Sequence, residues 1–242
     1  PNLQRIFSLK REQAAAVGFE ESPYDALLDD YEPDARTSQV AGILAALREE
    51  LVPLVQAIAE SSQRPHKEIL TRLYPAAQQA AFGTTAAKAI GFDFSRGRLD
   101  VTHHPFCSGM GPQDCRITTR YHEDFFPSAF FGILHEAGHG MYDQGLRSDQ
   151  FGLPPGTYLS LGIHESQSRM WENLVGRSRP FWDHFYPQLQ QTFPQAVGSE
   201  SLDDFFFAIN SVEPSLIRVE ADEATYNLHI IVRFELEQAL IA

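Results

Sequence analysis

From Ala129 to Leu146 the sequence reads AFFGILHEAGHGMYDQGL: an apolar run into which two histidines and a glutamate are set with fixed spacing. On a helix, residues four apart project from one face, so His135 and His139 stand one above the other with Glu136 beside them. A surface helix would carry polar residues on its opposite face, and this segment has none. The reading is therefore a helix through the interior with a polar island on one side. Buried imidazoles and a carboxylate without partners are costly, and a single divalent cation would satisfy all of them. Two histidines at this separation can share a tetrahedral ion, with Glu136 able to reach a water rather than the ion.

A catalytic metal needs a third protein ligand and an open position. Six residues beyond His139 stands Gly145, which removes the third histidine that metzincins use. Glu165, 26 residues beyond His139 in GIHESQSRMWEN, lies on the next helical pattern, the arrangement of gluzincin-type peptidases. His164 is the competing ligand. Neighbours on a helix point about 100° apart, so His164 and Glu165 do not both ligate easily.

The remainder of the chain narrows the class. With 242 residues, 43% hydrophobic content and 18 Phe it can bury a sizeable core. A formal charge of −13 is the wrong sign for a nucleic-acid backbone or an anionic membrane, so neither partner is expected. Its longest apolar stretch, Val40 to Ala59, is interrupted by Arg48, Glu49 and Glu50 and reads as an amphipathic helix rather than a membrane span. No basic-then-apolar leader opens the sequence, and two thiols, Cys107 and Cys115, are too few for a disulfide framework; both point to a cytoplasmic protein. The cysteine spacing matches no zinc ribbon, so they read as free structural thiols. The chain starts at Pro1 and stops at Ala242 within a helical pattern, which reads as part of a longer protein.

Periodicity predicts helices over 38–61, capped by Thr37 or Ser38 and burying one face, and over 74–90, stopped by Gly91. RLDVTHHPF and CRITTRY alternate and read as two strands of a hairpin across the turn-forming CSGMGPQD. Further helices are predicted from Pro127 to about Asp143, over 158–176, 180–193 and 202–209, and from about Asp222 to the end, with SLIRVE extended before the last.

Five stretches occur together and in order: HHPF (103–106), DCRITTRY (114–121), HEAGH (135–139), HESQS (164–168) and IRVEADEATYNLH (217–229). With SPYDALLDDYEP (22–33) upstream, the chain resembles the carboxypeptidase Taq family of metallopeptidases over essentially its whole length. The resemblance implies a mainly α fold, a gluzincin or neurolysin-like helical metallopeptidase core with a small antiparallel β-sheet beside the active site. It implies removal of C-terminal residues from peptides with broad specificity, zinc or sometimes cobalt as cofactor, and usually a homodimer. Carried over, it makes His135, His139 and Glu165 metal ligands and Glu136 the general base. Family members are about twice as long, so residues 1–242 are expected to be one catalytic core lacking N-terminal and C-terminal helical regions. A truncated metal-binding and dimerising fragment without turnover, or an endopeptidase with the same ligands, are the alternatives.

Around this centre several residues have both a functional and a plainer reading. Asp222 and Glu223 could hold a ligand histidine from behind, or merely start a helix. Arg116, Arg120 and Arg218 could grip a terminal carboxylate through a planar fork, or pair with Asp114 or Glu123. On a strand, Arg116, Thr118 and Arg120 share a face. His103 or His104, extended before Pro105, could touch substrate or cap a strand. Tyr226 and His229, three apart on a helix, could stabilise a developing oxyanion.

Overall fold

In the computed structural model, which describes residues 1–242 except for the side chain of Glu220, the chain is mainly helical with one small sheet. In order it runs α1 (Asn2–Val17), α2 (Pro23–Leu28), α3 (Thr37–Glu60), α4 (Ala76–Ile90), β1 (Gly97–Val101), β2 (Cys107–Gly111), β3 (Asp114–Thr119) and α5 (Phe126–Gly145). There follow α6 (Leu161–Arg169), continued by a π-helical turn at Met170–Val175, then α7 (Arg179–Thr192), α8 (Pro194–Val197), α9 (Leu202–Ile209) and α10 (Thr225–Ile241). Contacts divide the chain into two compact units: Pro1–Gln63 with Ser160–Gly162 and Val212–Ala242, and Arg64–Leu159 with Ile163–Ser211.

Most boundaries follow local chemistry. α4 stops where Gly91 takes φ 119°, a left-handed conformation that glycine adopts without a Cβ clash. Pro127 sits in the first turn of α5, where its missing N–H costs no hydrogen bond. Ser178 and Ser201 cap α7 and α9 by accepting the backbone N–H groups of Phe181 and Asp204.

Three expectations are corrected. α3 is not capped by Thr37 or Ser38: Arg36 precedes it without a side-chain cap, and the buried Asp25 accepts both the N–H (2.7 Å) and the hydroxyl of Thr37. SLIRVE is not extended throughout: Ile217 is, but Arg218–Glu220 closes into a 3-10 turn. The sheet is not a simple antiparallel hairpin either. β1 and β3, the two expected strands, run parallel, with Leu99 opposite Ile117, and the supposed turn CSGMG is itself β2, antiparallel to β3 on its other side. A third strand could form in a Gly- and Ser-containing segment because the Thr118 hydroxyl also bonds the backbone of Phe106 just before it.

In the first unit, Arg11 donates to the carbonyl of Leu240 at 2.6 Å, and the Tyr24 hydroxyl donates to Glu237 at 2.8 Å. The apolar stripe of α3 is covered in part: Leu51 and Val55 are buried, whereas Ile43 and Leu54 are exposed. Leu44, Val52 and Pro53 line a groove of ≈ 510 Å³ with Ile231 and Phe234 of α10. No helix among the described residues is long and apolar enough to cross a membrane.

The second unit is built around α5. One side enters an aromatic core in which Phe126 stacks on Phe130 at 5.1 Å and Trp182 meets Phe205 edge-on at 4.7 Å, with Phe82, Phe193 and Tyr74 around them. The Trp182 indole N–H donates to the Gly176 carbonyl, so this buried polar atom is satisfied. Against another side of α5, Ile133 and Ala137 pack on Cys115 and Ile117 of β3. The helix is thus fixed on two faces by burial, leaving its histidine face for α6.

Candidate metal centre

The backbone of α6 comes unusually near that face because residue 138 is glycine. A Cβ there would lie 2.6 Å from the Cα of Ser168 and 2.7 Å from the carbonyl oxygen of Gln167, distances that no side chain tolerates. Gly138 is therefore more than a spacer between the two histidines. It lets the helix carrying Glu165 approach until the carboxylate stands 3.7 Å from Nε2 of His135 and 3.3 Å from Nε2 of His139. One donor atom from each of His135, His139 and Glu165 falls within 4.8 Å of the others.

The far side of each imidazole is held separately. Nδ1 of His135 is 2.8 Å from Oε2 of Glu172. Burial opposes the charged form of Glu172, but the hydrogen bond from His135 and the charges of His135, Arg169 and Arg177 outweigh it and hold the carboxyl below its ordinary range. Glu172 is an acceptor, so the proton resides on Nδ1 of His135. Nδ1 of His139 is 2.5 Å from Nδ1 of His164, whose Nε2 is 2.9 Å from Oδ1 of Asp143. With His164 donating to Asp143, its Nδ1 carries the lone pair that accepts the N–H of His139. Tyr142 and Tyr158 meet the His164 ring edge-on at 5.1 and 5.2 Å and fix its plane.

Both histidines thus have Nδ1 engaged from behind and turn Nε2 toward the Glu165 carboxylate. Burial raises the pKa of Glu165, yet the hydrogen bond with His139 and the charges of His135, His139 and Arg169 bring it below the usual carboxylate range. Two imidazole nitrogens and a carboxylate thus converge on one point, and a divalent cation, taking the place of the protons they otherwise share, is the partner that this donor set fits. The Glu165 side chain is 46% exposed against 22% and 15% for the two histidines, so the cluster opens to solvent on the glutamate's side.

Glu136 is buried next to this cluster, and burial drives its pKa up against the opposing charges of His135, His139 and the more remote His104. For His135 burial acts downward, but Glu172, Glu136 and Glu165 together leave the pKa raised.

Other anticipated residues have different surroundings. Arg116 forks onto Asp114 at 2.9 and 2.7 Å on the exposed side of β3, and Arg120 donates to the carbonyl of His103 at 3.2 Å. Glu123 pairs with neither; it accepts the N–H of Ala76 at the start of α4. Thr118, on the face expected for the two arginines, is buried and bonds Phe106. Nδ1 of His104 lies 2.7 Å from the carbonyl oxygen of Pro105. Arg218, Tyr226 and His229 belong to the first unit, where Arg218 donates to the Tyr226 hydroxyl. Asp222 takes the plainer of its two readings: it accepts N–H bonds from Ala224 and Thr225 at the head of α10. The partners behind the histidines are Glu172, His164 and Asp143 instead. Glu172 had a signal in the sequence, since it lies seven residues beyond Glu165 on the same helical face; His164 and Asp143 had none as a pair.

The model of the carboxypeptidase Taq (M32) metallopeptidase family matches residues 1–242. Thermostable carboxypeptidase 1 of Thermus thermophilus is 51% identical over 99% of this chain and 49% of its own length. Carboxypeptidase 1 of Bacillus subtilis is 40% identical over 100% of this chain and 48% of its own. Among solved structures, the M32 carboxypeptidase of Deinococcus radiodurans superposes with a TM-score of 0.96 at 41% identity, over 99% of this chain and 48% of that one. The chain spans about half the length of the curated relatives it matches.

Proposed function

Because the chain belongs to the carboxypeptidase Taq (M32) metallopeptidase family, we propose that His135, His139 and Glu165 hold one divalent ion, zinc or alternatively cobalt, and that the site releases C-terminal residues from peptides of broad sequence. The observation that carries this reading is the pair of Nε2 atoms facing the Glu165 carboxylate, each imidazole tied from behind by its own acceptor. When bound, the ion supplies Lewis acidity, polarising a carbonyl and making water easier to deprotonate. Glu136 is the general base: burial raises its pKa, so it takes a proton from water more readily than an exposed carboxylate and returns it to the departing amine. Glu172 and His164 hold the two imidazoles in the required tautomer and plane.

A carboxypeptidase also has to recognise a terminal carboxylate. Arg116, Arg120 and Arg218 are the proposed cations, with His104, Tyr226 and His229 as further substrate contacts. Arg120 is favoured over Arg116, whose fork is already taken by Asp114. Residues 1–242 act as one catalytic core in a cytoplasmic homodimer. A second reading, metal binding without turnover by this chain, is favoured by its spanning about half of its relatives.

Matched free-acid and amidated peptides test the proposal, on this chain and on the whole encoding reading frame. Loss of a charge-assisted pair to the terminal carboxylate is worth roughly 1.5–3 kcal/mol, so amidation should slow release of the last residue by about one to two decades. Equal cleavage of both peptides at internal bonds would make the enzyme an endopeptidase. Metal binding without cleavage by the short chain, with cleavage by the whole reading frame, would select the second reading.

A further inference from the structure

Behind the His164–Asp143 pair the sheet assembles another set of donors. Cys107 on β2 is opposite Ile117 of β3, and Cys115 is opposite Gly109, so the two cysteines are diagonal neighbours, two residues out of step. Their Sγ atoms are nevertheless only 3.7 Å apart. Diagonal neighbours on antiparallel strands have Cα atoms about 7–8 Å apart, at or beyond the roughly 6.8 Å limit of a relaxed disulfide. The two sulfurs are close while the backbones are far, which favours an atom between them over a bond between them. A tetrahedral zinc ion about 2.3 Å from each of two thiolates sets those sulfurs roughly 3.8 Å apart.

A carboxylate completes the set. Asp143 of α5 directs Oδ1 to His164 and Oδ2 to the Cys107 sulfur, at 3.9 Å, and one donor atom from each of Cys107, Cys115 and Asp143 lies within 4.8 Å of the others. Gly109 leaves the carboxylate open, since a Cβ there would stand 3.0 Å from Asp143 Oδ2. The Gly140 carbonyl oxygen, 3.8 Å from Cys115 Sγ, is a fourth donor nearby.

We propose that Cys107, Cys115 and Asp143 form a second metal site, selective for a thiophilic divalent cation such as zinc or cadmium and separate from the His135, His139 and Glu165 centre. Two thiolates select for soft and borderline ions over calcium or magnesium. Binding is an exchange without redox change: the ion enters and two thiol protons leave to solvent, so affinity rises with pH.

Titration of the reduced, metal-stripped chain with cadmium tests the proposal, read by bound equivalents and by sulfur-to-cadmium charge-transfer absorbance. Two equivalents are expected, one of them with the thiolate band. The His135→Ala, His139→Ala double variant should keep the band and lose one equivalent, whereas Cys107→Ser should lose the band and keep one. Cys115→Ala repeats the second test at the more buried position, with far-ultraviolet circular dichroism to verify folding. Asp143 is left intact because it also holds His164. One equivalent without a thiolate band, or a band that survives Cys107→Ser, overturns the site. Absence of titratable thiols in denatured but unreduced protein also overturns it, assigning the pair to a disulfide.

Discussion

Gly138→Ala tests whether backbone approach, rather than ligand identity alone, makes the proposed metal centre. In an isolated helix the change would be favourable by about 1 kcal/mol, since alanine restricts the unfolded chain and favours helical geometry. Here the new methyl would lie 2.6 Å from the Cα of Ser168, and carbon atoms rest at roughly 3.5–4.0 Å, so α5 and α6 must separate by about 1 Å. Overpacking of this kind costs roughly 1–3 kcal/mol, which offsets the helix gain and leaves stability between unchanged and about 2 kcal/mol lower. The larger effect is on the ligands. Glu165 lies three residues from Ser168 on the displaced helix, and loss of a metal ligand's support costs roughly 10–100-fold in metal affinity. Competition against a chromophoric chelator should therefore report a loss of metal affinity out of proportion to any change in thermal unfolding of the metal-free protein. Unaltered affinity in Gly138→Ala would refute the argument, because the two helices would then have accommodated the methyl without moving the carboxylate.

Glu136→Gln should retain one metal ion per chain in elemental analysis while hydrolysis by the whole reading frame falls by about 10²–10⁴, since the amide fills the same space but accepts no proton. Retention of most of the rate would reassign the base. Glu172→Ala should weaken metal binding by roughly 10–100-fold by freeing the His135 ring, and the same affinity as the parent would mean that Glu172 serves only packing. Asp25 carries a pH signature. Burial raises its pKa, but the Thr37 hydrogen bonds and the Arg36 charge bring it below the ordinary value, so its contribution is present above the unfolded-state pKa and is lost as pH falls through the folded one. Urea unfolding at descending acid pH should show this loss in the parent and a flatter profile in Asp25→Asn; coincident profiles would remove the assignment.

Much of the second unit could be read directly from the sequence, because helices that bury one face repeat that fact every turn. α5, α7 and α9 begin and end close to where their Pro, Ser and apolar positions place them. The i, i+4 histidines and Glu136 were likewise legible, since the geometry of a single helix relates them. Sequence alone left His164 and Glu165 as rivals. Which of them faces the Nε2 atoms depends on how α6 is rotated and how near it comes, and that is decided by contact between Gly138 and the backbone of Gln167 and Ser168. The parallel pairing of β1 with β3 was equally out of reach, because alternation along a strand specifies which residues share a face but not which neighbour it pairs with or in which direction. For the same reason the sequence offered Asp222 as the support of a ligand histidine, whereas the fold uses it to start α10 and gives the task to Glu172 and His164. Cys107 and Cys115, eight residues apart in a spacing that fits no zinc ribbon, have their sulfurs at 3.7 Å because the antiparallel register of β2 and β3 makes them diagonal neighbours. Periodicity acts within one element and is written in the chain; donor sets and tautomers arise between elements, where only packing brings the atoms together.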